Sequence, residues 1–243
     1  MESSAYQVHG ATRRGRWLIT CDHATNHVPC WVNSGDLGLE ADDMDRHIAY
    51  DPGALAVGQH LSRALDGPLV QSQFSRLVID PNRGEDDPTL IMKLYDGTVI
   101  PANRHVDQTQ KAERIARLYR PYHAAIAELA PDRVICAVHS FTPQLRGRPP
   151  RPWQVAVLSD PRDRRLADPL LAALRAQGLC VGDNEPYSGH LRGDSLDRHG
   201  LQQNRPSVLI ELRQDLIATP QAQKRWAALL APCLTEALHN SGV

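Results

Sequence analysis

Short apolar runs alternate with longer amphipathic stretches along most of the chain. The runs have the length and composition of strands, and the one at 134–139 is apolar almost throughout, which is typical of a strand buried on both faces of a sheet. Strands are predicted at 16–21, 68–73, 77–80, 134–139, 154–159, 179–182 and 207–212.

The amphipathic stretches predict helices at 43–65, 107–130, 163–176 and 220–239. Pro52 predicts a break or a second helix start inside the first of them, and Pro121 predicts a kink inside the second. Asp107 and Gln110 have the spacing of a capping box at the start of the second helix.

This alternation favours one α/β domain, in which a mostly parallel sheet is covered by helices on both faces. The 243 residues contain no internal repeat, low-complexity linker or shift in composition that marks a second domain. We therefore expect a single domain over residues 1–243, with residues 1–15 as a flexible N-terminal extension.

Composition and charge exclude several classes of protein. With 42 % hydrophobic and 23 % charged residues, the chain is not disordered throughout. Its 27 basic and 28 acidic residues give a net charge of −1, so no global basic field indicates nucleic-acid binding. The apolar runs are too short to span a membrane and no secretory signal is visible, so we expect a cytoplasmic protein with neither a membrane nor a nucleic-acid partner.

The five cysteines are odd in number, widely spaced and without a C-x-x-C pair. This pattern predicts neither a disulfide framework nor a thiolate zinc site. Cys136 and Cys180 lie in apolar runs and are expected in the core, because free cysteine packs as a small hydrophobe.

Ionisable side chains stand where three of the apolar runs end, at His23, His139 and Glu211. Sites in such sheets lie at the carboxyl ends of the strands, so we expect these side chains to converge. A lone histidine at a strand end is more often structural, but a buried glutamate needs a cation, a metal or a reacting proton. Nitrogen and oxygen ligands around an open position are what catalytic zinc requires.

His47 and Asp51 are four residues apart in the first predicted helix, where they share one face and can reach one ion. A solvated helix face with an i,i+4 hydrogen bond is the alternative. His23 and His27 have the same spacing, but the residues around them indicate a loop, so His27 is the weaker candidate of the two.

Arg76, Asn82 and Arg83 flank the predicted strand at 77–80 and are expected to bind a substrate carboxylate. Surface salt bridges are the alternative for these arginines. The chain contains no G-x-S-x-G, G-x-G-x-x-G or P-loop motif, so neither a nucleophilic serine nor a nucleotide site is predicted.

Seven motifs follow one another along nearly the whole chain and carry a family resemblance. They are Cys21-Asp-His-Ala-Thr-Asn-His-Val-Pro29, His47-Ile-Ala-Tyr-Asp51-Pro-Gly-Ala54, Ser75-Arg-Leu-Val-Ile-Asp-Pro-Asn-Arg83, Pro121-Tyr-His123, His139-Ser-Phe-Thr-Pro143, Asn184-Glu-Pro-Tyr187 and Val208-Leu-Ile-Glu-Leu-Arg-Gln-Asp-Leu216. Together they resemble the N-formylglutamate amidohydrolase family. The resemblance implies the fold of zinc carboxypeptidases and related N-acyl amino acid deacylases, a three-layer α/β/α sandwich around a mixed sheet.

The resemblance also implies roles for individual residues. His23 and His139 fall where zinc ligands stand, and Glu211 falls where the deacylases keep the general base. Arg76 and the pair Asn82-Arg83 fall where the substrate carboxylate is bound.

One position departs from the pattern of the zinc carboxypeptidases. These enzymes carry a glutamate ligand three residues after the first histidine, where this chain has Asn26. A neutral amide is a poor substitute for an anionic ligand, so the third ligand must come from elsewhere. We expect Asp51 to be that ligand, with His47 as the alternative.

The activity implied is hydrolysis of N-formyl-L-glutamate to formate and L-glutamate, with one Zn²⁺ (or another divalent metal) per chain. Arg213 and His199 are expected to stabilise the oxyanion or to bind the side-chain carboxylate, and the alternative for both is a supporting role without direct contact with the substrate. The alternatives are a deacylase for another N-acyl amino acid and a non-catalytic anion-binding protein on the same scaffold, the latter suggested by Asn26. Members of the family often belong to histidine degradation; the oligomeric state stays open.

Overall fold

The computed structural model describes residues 4–243. The strands are β1 (Tyr6–His9), β2 (Trp17–Cys21), β3 (Leu69–Ser72), β4 (Leu94–Tyr95), β5 (Thr98–Val99), β6 (Val134–Phe141), β7 (Val155–Leu158), β8 (Val181–Asp183) and β9 (Ser207–Arg213). The α-helices are α1 (Ala41–Met44), α2 (Ala54–Ala64), α3 (Gln108–Arg114), α4 (Arg120–Leu129), α5 (Ala167–Ala176), α6 (Ser195–His199) and α7 (Pro220–Asn240).

Seven strands form one sheet in the order β1-β3-β2-β6-β9-β7-β8, while β4 and β5 form a separate hairpin. The central strands β3, β2, β6 and β9 are parallel. β1 is antiparallel to β3, and β7 is antiparallel to β9 and parallel to β8. The sheet is therefore mixed with a parallel centre, as predicted. Its register places His139 on β6 directly beside Glu211 on β9.

Alternate residues of the strands point to two helical layers. Ile19 and Cys21 pack on one face with residues of α2, α5 and α7. Leu18 and Ile135 point to the other face and pack with residues of α4. Both faces of the sheet are thus buried, which explains the continuous apolar runs and confirms the three-layer sandwich.

The second predicted helix is one continuous helical stretch of three parts: α3, a π-helical segment over Ile115–Tyr119, and α4. Asp107 and Gln110 form the predicted capping box. The π-helical segment ends just before Pro121, the position at which the sequence predicts a kink.

The first predicted helix is interrupted more than expected. Helix α1 ends at Met44, turns occupy 45–53, and α2 begins at Ala54. Gly53 turns the chain with φ of 80°, and a Cβ at this position would lie 2.5 Å from the Ile217 carbonyl oxygen. His47 and Asp51 therefore do not lie on a regular helix face, and the helical spacing argument for this pair is wrong.

The predicted strand at 77–80 is absent from the described sheet, although the segment is buried. Side chains satisfy its carbonyl groups in place of a neighbouring strand, since Asn103 donates to the Leu77 oxygen and Arg114 donates to the Val78 oxygen. An apolar run identifies burial here, but it does not identify the hydrogen-bond partner of the backbone.

Two further expectations are corrected. Tyr6–His9, within the stretch expected as a flexible extension, pair with β3, and Tyr6 and Val8 pack against the core on the α4 side. Residues 1–3 of that stretch lie outside the described residues. Cys180 is exposed, because it precedes the edge strand β8, whereas Cys136 is buried as expected.

Candidate metal centre and pocket

A cavity of about 250 Å³ opens at the carboxyl ends of β2, β6 and β9. It brings together most of the predicted site residues. The lining includes His23, His47, Asp51, Arg76, Asn82, Arg83, Tyr95, His139, Tyr187, Asp194 and Glu211.

Three buried side chains form a compact group of potential metal ligands: His23, Asp51 and His139. One ligand atom from each lies within 4.8 Å of the other two. Nδ1 of His139 is 2.8 Å from Oδ2 of Asp51, and Nδ1 of His23 is 3.3 Å from the same oxygen. Both rings thus present the same nitrogen to one carboxylate.

The opposite nitrogen of each ring contacts a second carboxylate. Nε2 of His23 is 2.7 Å from Asp80, and Nε2 of His139 is 3.1 Å from Asp22. Partners of this kind fix the ring orientation and tautomer of metal-binding histidines. Asp22 also accepts a hydrogen bond from Tyr122 at 2.5 Å, which holds the acid in place.

The donor set fits a cation between these groups. A neutral imidazole has one N–H, and donation from Nε2 to Asp80 or Asp22 leaves the Nδ1 lone pair facing the Asp51 carboxylate. Two acceptors that face one another in a buried site repel unless a cation or a second ring proton lies between them. Two nitrogens and a carboxylate oxygen form a ligand set used by catalytic zinc.

The electrostatics of the group are consistent with this arrangement. Burial alone would lower the pKa of His139, but the hydrogen bonds and charges of Asp22 and Asp51 outweigh it and raise the pKa well above its usual value. Burial alone would raise the pKa of Asp22, and the contact with His139 instead lowers it to about 2. The site therefore favours positive charge between its carboxylates.

Glu211 lies beside this group on β9 and is 6 % exposed. Its Oε2 atom has no hydrogen-bond partner among the described residues. Burial raises the pKa of Glu211 to about 7. An unpaired carboxyl group with this pKa, at the wall of a cavity, can take up and release a proton near neutral pH.

Two arginines line this cavity, and Arg83 is the one without a carboxylate partner among residues 4–243. It donates to the Asn82 carbonyl oxygen and to Thr89. Arg76 is 2.8 Å from Asp80 and 3.6 Å from Asp51, so part of its guanidinium is already used within the site.

The segment that carries Asn82 and Arg83 is held from behind by the α4 side. The Tyr119 hydroxyl donates to the Arg83 carbonyl oxygen at 2.6 Å. Nε2 of His123 is 3.0 Å from the Pro81 carbonyl oxygen. These contacts set the position of the segment without occupying the cavity.

Two predicted substrate residues lie elsewhere, and the structure corrects their expected roles. Arg213 stands on β9 but pairs with Asp215 at 2.9 Å, outside the cavity lining. His199 lies in α6 and its Nε2 is 2.8 Å from Nδ1 of His123, in a separate cavity.

The structure distinguishes between the two candidates for the third metal ligand. Asp51 belongs to the compact group of ligand atoms, whereas His47 lines the cavity outside that group, with its Nε2 3.4 Å from Asp96. Asn26 donates to the Met44 carbonyl oxygen and to Asp45, so its amide fastens a loop. His27 is exposed and does not line the cavity.

Comparison with known proteins identifies the family. The family model described as N-formylglutamate amidohydrolase matches residues 15–218, most of the chain. The chain belongs to this family. Membership makes it a hydrolase that acts on an amide bond, in agreement with the geometry of the cavity. The comparison with curated proteins found no match.

Solved structures agree with the family in fold. A gene product of Agrobacterium tumefaciens is 35 % identical and has a TM-score of 0.93, with 99 % of this chain and 97 % of that chain covered. N-formylglutamate amidohydrolase from Ralstonia eutropha JMP134 is 21 % identical with a TM-score of 0.67, covering 99 % and 100 %. A bacteriophage poly-gamma-glutamate hydrolase is 10 % identical with a TM-score of 0.52, covering 98 % and 92 %.

Several residues of this family member were missed by the sequence reasoning. Asp22 and Asp80 orient the two histidines, and each stands at the end of an apolar run, the same signal that identified His23. Asp194 caps α6 and lines the cavity, and burial raises its pKa to about 7. Nothing in its local sequence distinguishes it from an ordinary N-cap.

No helix in the described part of this amidohydrolase is long and apolar enough to cross a bilayer.

Proposed function

We propose that the protein hydrolyses the formyl amide of N-formyl-L-glutamate, giving formate and L-glutamate. The observation that carries this proposal is the meeting of His23, Asp51, His139 and the unpaired Glu211 at one cavity. Family membership supports the reaction class.

His23, Asp51 and His139 would hold one divalent ion per chain, with Zn²⁺ as the first choice for two imidazoles and a carboxylate. Such an ion lowers the pKa of a bound water and polarises a carbonyl group. Asp80 and Asp22 keep the two imidazole rings oriented with Nδ1 towards Asp51.

Glu211 is the proposed general base and, later, the general acid. It takes a proton from the water whose oxygen bonds to the formyl carbon. It then returns the proton to the nitrogen as the carbon–nitrogen bond breaks, so that formate and the amine leave. A pKa of about 7 suits both transfers, because the group exchanges its proton readily near neutral pH.

Arg83 is the proposed principal partner of a substrate carboxylate. Arg83 lines the cavity, and its guanidinium has no carboxylate partner among the described residues. A guanidinium binds a carboxylate through two parallel hydrogen bonds. Asn82 would orient the backbone end of the substrate. Arg76 would add positive charge, although Asp80 already occupies one of its nitrogens.

The sequence analysis left two alternatives to this function. A non-catalytic anion-binding protein would have no use for an unpaired buried carboxyl group beside two oriented histidines, and family membership favours the hydrolase. A deacylase for a larger acyl group uses the same machinery. Comparison of substrates with different acyl groups distinguishes the two.

A substrate panel with and without Zn²⁺ tests the proposal. Chelator-treated protein is assayed with the formyl, acetyl and succinyl amides of glutamate, with Glu211→Gln as the matched control. We expect release of formate that depends on added Zn²⁺ and is strongly reduced in the variant. Faster release of acetate or succinate would show that the enzyme prefers another acyl group. No release from any of the three amides would contradict the proposal.

The cytoplasmic location expected from the sequence and the place in histidine degradation implied by the family resemblance remain predictions. Fractionation of the source cells and growth with histidine as nitrogen source would test them.

A further inference from the structure

A second cavity, of about 370 Å³, lies on the outer side of the segment at residues 81–83. It is formed by α4, by α6 and by the turn that follows α6. Among the described residues, it shares no lining residue with the candidate metal centre. We call it the arginine cavity, after Arg120, Arg198 and Arg205, which line it.

The lining of the arginine cavity is strongly positive. Its described residues include three arginines and no aspartate or glutamate. Glu85, outside the lining, is 2.9 Å from Arg120 and 3.9 Å from Arg198, so one carboxylate serves two guanidinium groups. The cavity therefore keeps an excess of positive charge.

Arg205 has the least compensation of the three. It donates to the His199 carbonyl oxygen and forms no ion pair among residues 4–243. Burial lowers the pKa of Arg205, as expected for a cation that has lost water without gaining an anion. Like charges around one space repel one another, and an anion bound between them relieves that repulsion.

The floor of the arginine cavity contains a buried histidine pair. His123 and His199 are 3 % and 5 % exposed. The Pro81 carbonyl oxygen can only accept a hydrogen bond, so Nε2 of His123 carries the proton. In the neutral pair, Nδ1 of His123 then accepts from Nε2 of His199. This leaves Nδ1 of His199 as an acceptor with no partner among the described residues.

We propose that the arginine cavity binds a small oxyanion, either a phosphate group or a di- or tricarboxylate. Arg120, Arg198 and Arg205 supply the donors, since guanidinium groups bind the oxygens of both classes through paired hydrogen bonds. The unpaired acceptor on His199 favours an oxyanion that still carries a proton, as hydrogen phosphate does near neutral pH. This site is independent of the proposed hydrolytic activity.

Calorimetric titration of the full chain with inorganic phosphate, and separately with citrate, tests the proposal at constant ionic strength. We expect one saturable anion per chain, with binding about tenfold weaker in Arg205→Gln and in Arg198→Gln, as for the loss of one charge-assisted contact. Arg225→Gln on the exposed face of α7 is the matched control and should bind as the unchanged chain does. The tighter of the two titrants identifies the class of oxyanion.

A second variant separates this site from the candidate metal centre. Arg83→Gln removes the arginine of the first cavity that has no carboxylate partner among the described residues. It should leave the anion affinity of the arginine cavity unchanged. Loss of binding in Arg83→Gln with retention in Arg205→Gln and Arg198→Gln would overturn the proposal, because the anion would then occupy the first cavity. Absence of saturable binding by phosphate and by citrate would overturn it as well.

Discussion

The protein contains two buried pairs of histidines in contact, and the surroundings of the two pairs differ in charge. His23 and His139 meet edge to face with ring centroids 4.8 Å apart, and carboxylates contact both nitrogens of each ring. His123 and His199 stack with centroids 5.1 Å apart, and arginines line the cavity beside them.

The same residue type therefore acquires opposite properties from its neighbours. Carboxylates raise the pKa of His139 well above its usual value. Burial, with neighbouring positive charge, lowers the pKa of His123 to about 3, and burial lowers that of His199 to about 4. The first pair is suited to hold a cation, and the second pair stays neutral beside arginines. Substitutions in the two pairs should accordingly separate metal binding from stability.

Removal of one of the three proposed metal ligands should have the largest effect on zinc binding and activity. In Asp51→Asn the anionic oxygen shared by both Nδ1 atoms is replaced by a neutral amide, and we expect loss of bound Zn²⁺ and of measurable formate release. Metal analysis after dialysis, together with the formate assay, checks both. His123→Gln, from the second pair, is the matched control and should keep its zinc. Equal zinc content in the two variants would contradict the assignment of metal binding to the first histidine pair alone.

Glu211→Gln should separate metal binding from proton transfer. The amide has almost the same shape but cannot take a proton, so we expect kcat to fall by roughly 10²–10⁴ while zinc content is unchanged. Turnover close to that of the unchanged protein would exclude Glu211 as the base.

An outer carboxylate should have an intermediate effect. Asp80→Asn weakens the contact that orients His23, and we expect zinc affinity or activity to fall roughly 10–100-fold. Competition with a chromophoric zinc chelator measures the affinity. Asp215→Asn, whose carboxylate pairs with Arg213 outside the cavity, is the control. If the two variants lose the same amount, Asp80 has no particular role in holding the ring.

The second pair should contribute to the pH dependence of stability, an effect smaller than the others. Its folded pKa is lowered, so the unfolded chain binds the proton more readily, and stability is lost as pH falls below the unfolded value of 6.5. At about pH 5 the loss for one such histidine is about 2 kcal/mol. Urea unfolding at about pH 7.5 and pH 5 should show a smaller difference in His123→Gln than in the unchanged protein. The exposed His239, changed to Gln, should leave the difference as it was.

The sequence predicts that His23, His139 and Glu211 meet at one place, and the structure brings these three side chains to one cavity. His23, His139 and Glu211 each stand at the end of an apolar run, and the carboxyl ends of parallel strands share one edge of the sheet. The alternation of strands and helices gives that sheet, and the structure confirms both the layers and the parallel centre.

The remaining errors concern side chains whose partners come from distant parts of the chain. Asp215 pairs with Arg213 and His123 contacts His199, so neither predicted substrate residue reaches the cavity, and no local pattern reveals this. Asp51 lies close to His23 and His139 for a reason other than helical spacing, since it precedes a turn at Gly53. Local periodicity describes which face is buried, whereas the site depends on how turns direct single side chains.

Anomalous scattering at the zinc edge from crystals of the protein grown with Zn²⁺ is the most direct measurement of the metal centre. We predict one strong peak per chain. It should mark a zinc ion bonded to Nδ1 of His23, Nδ1 of His139 and a carboxylate oxygen of Asp51, with Glu211 beside it. A peak bound to other side chains, or no peak within this cavity, would contradict the assignment of these three residues as the ligands.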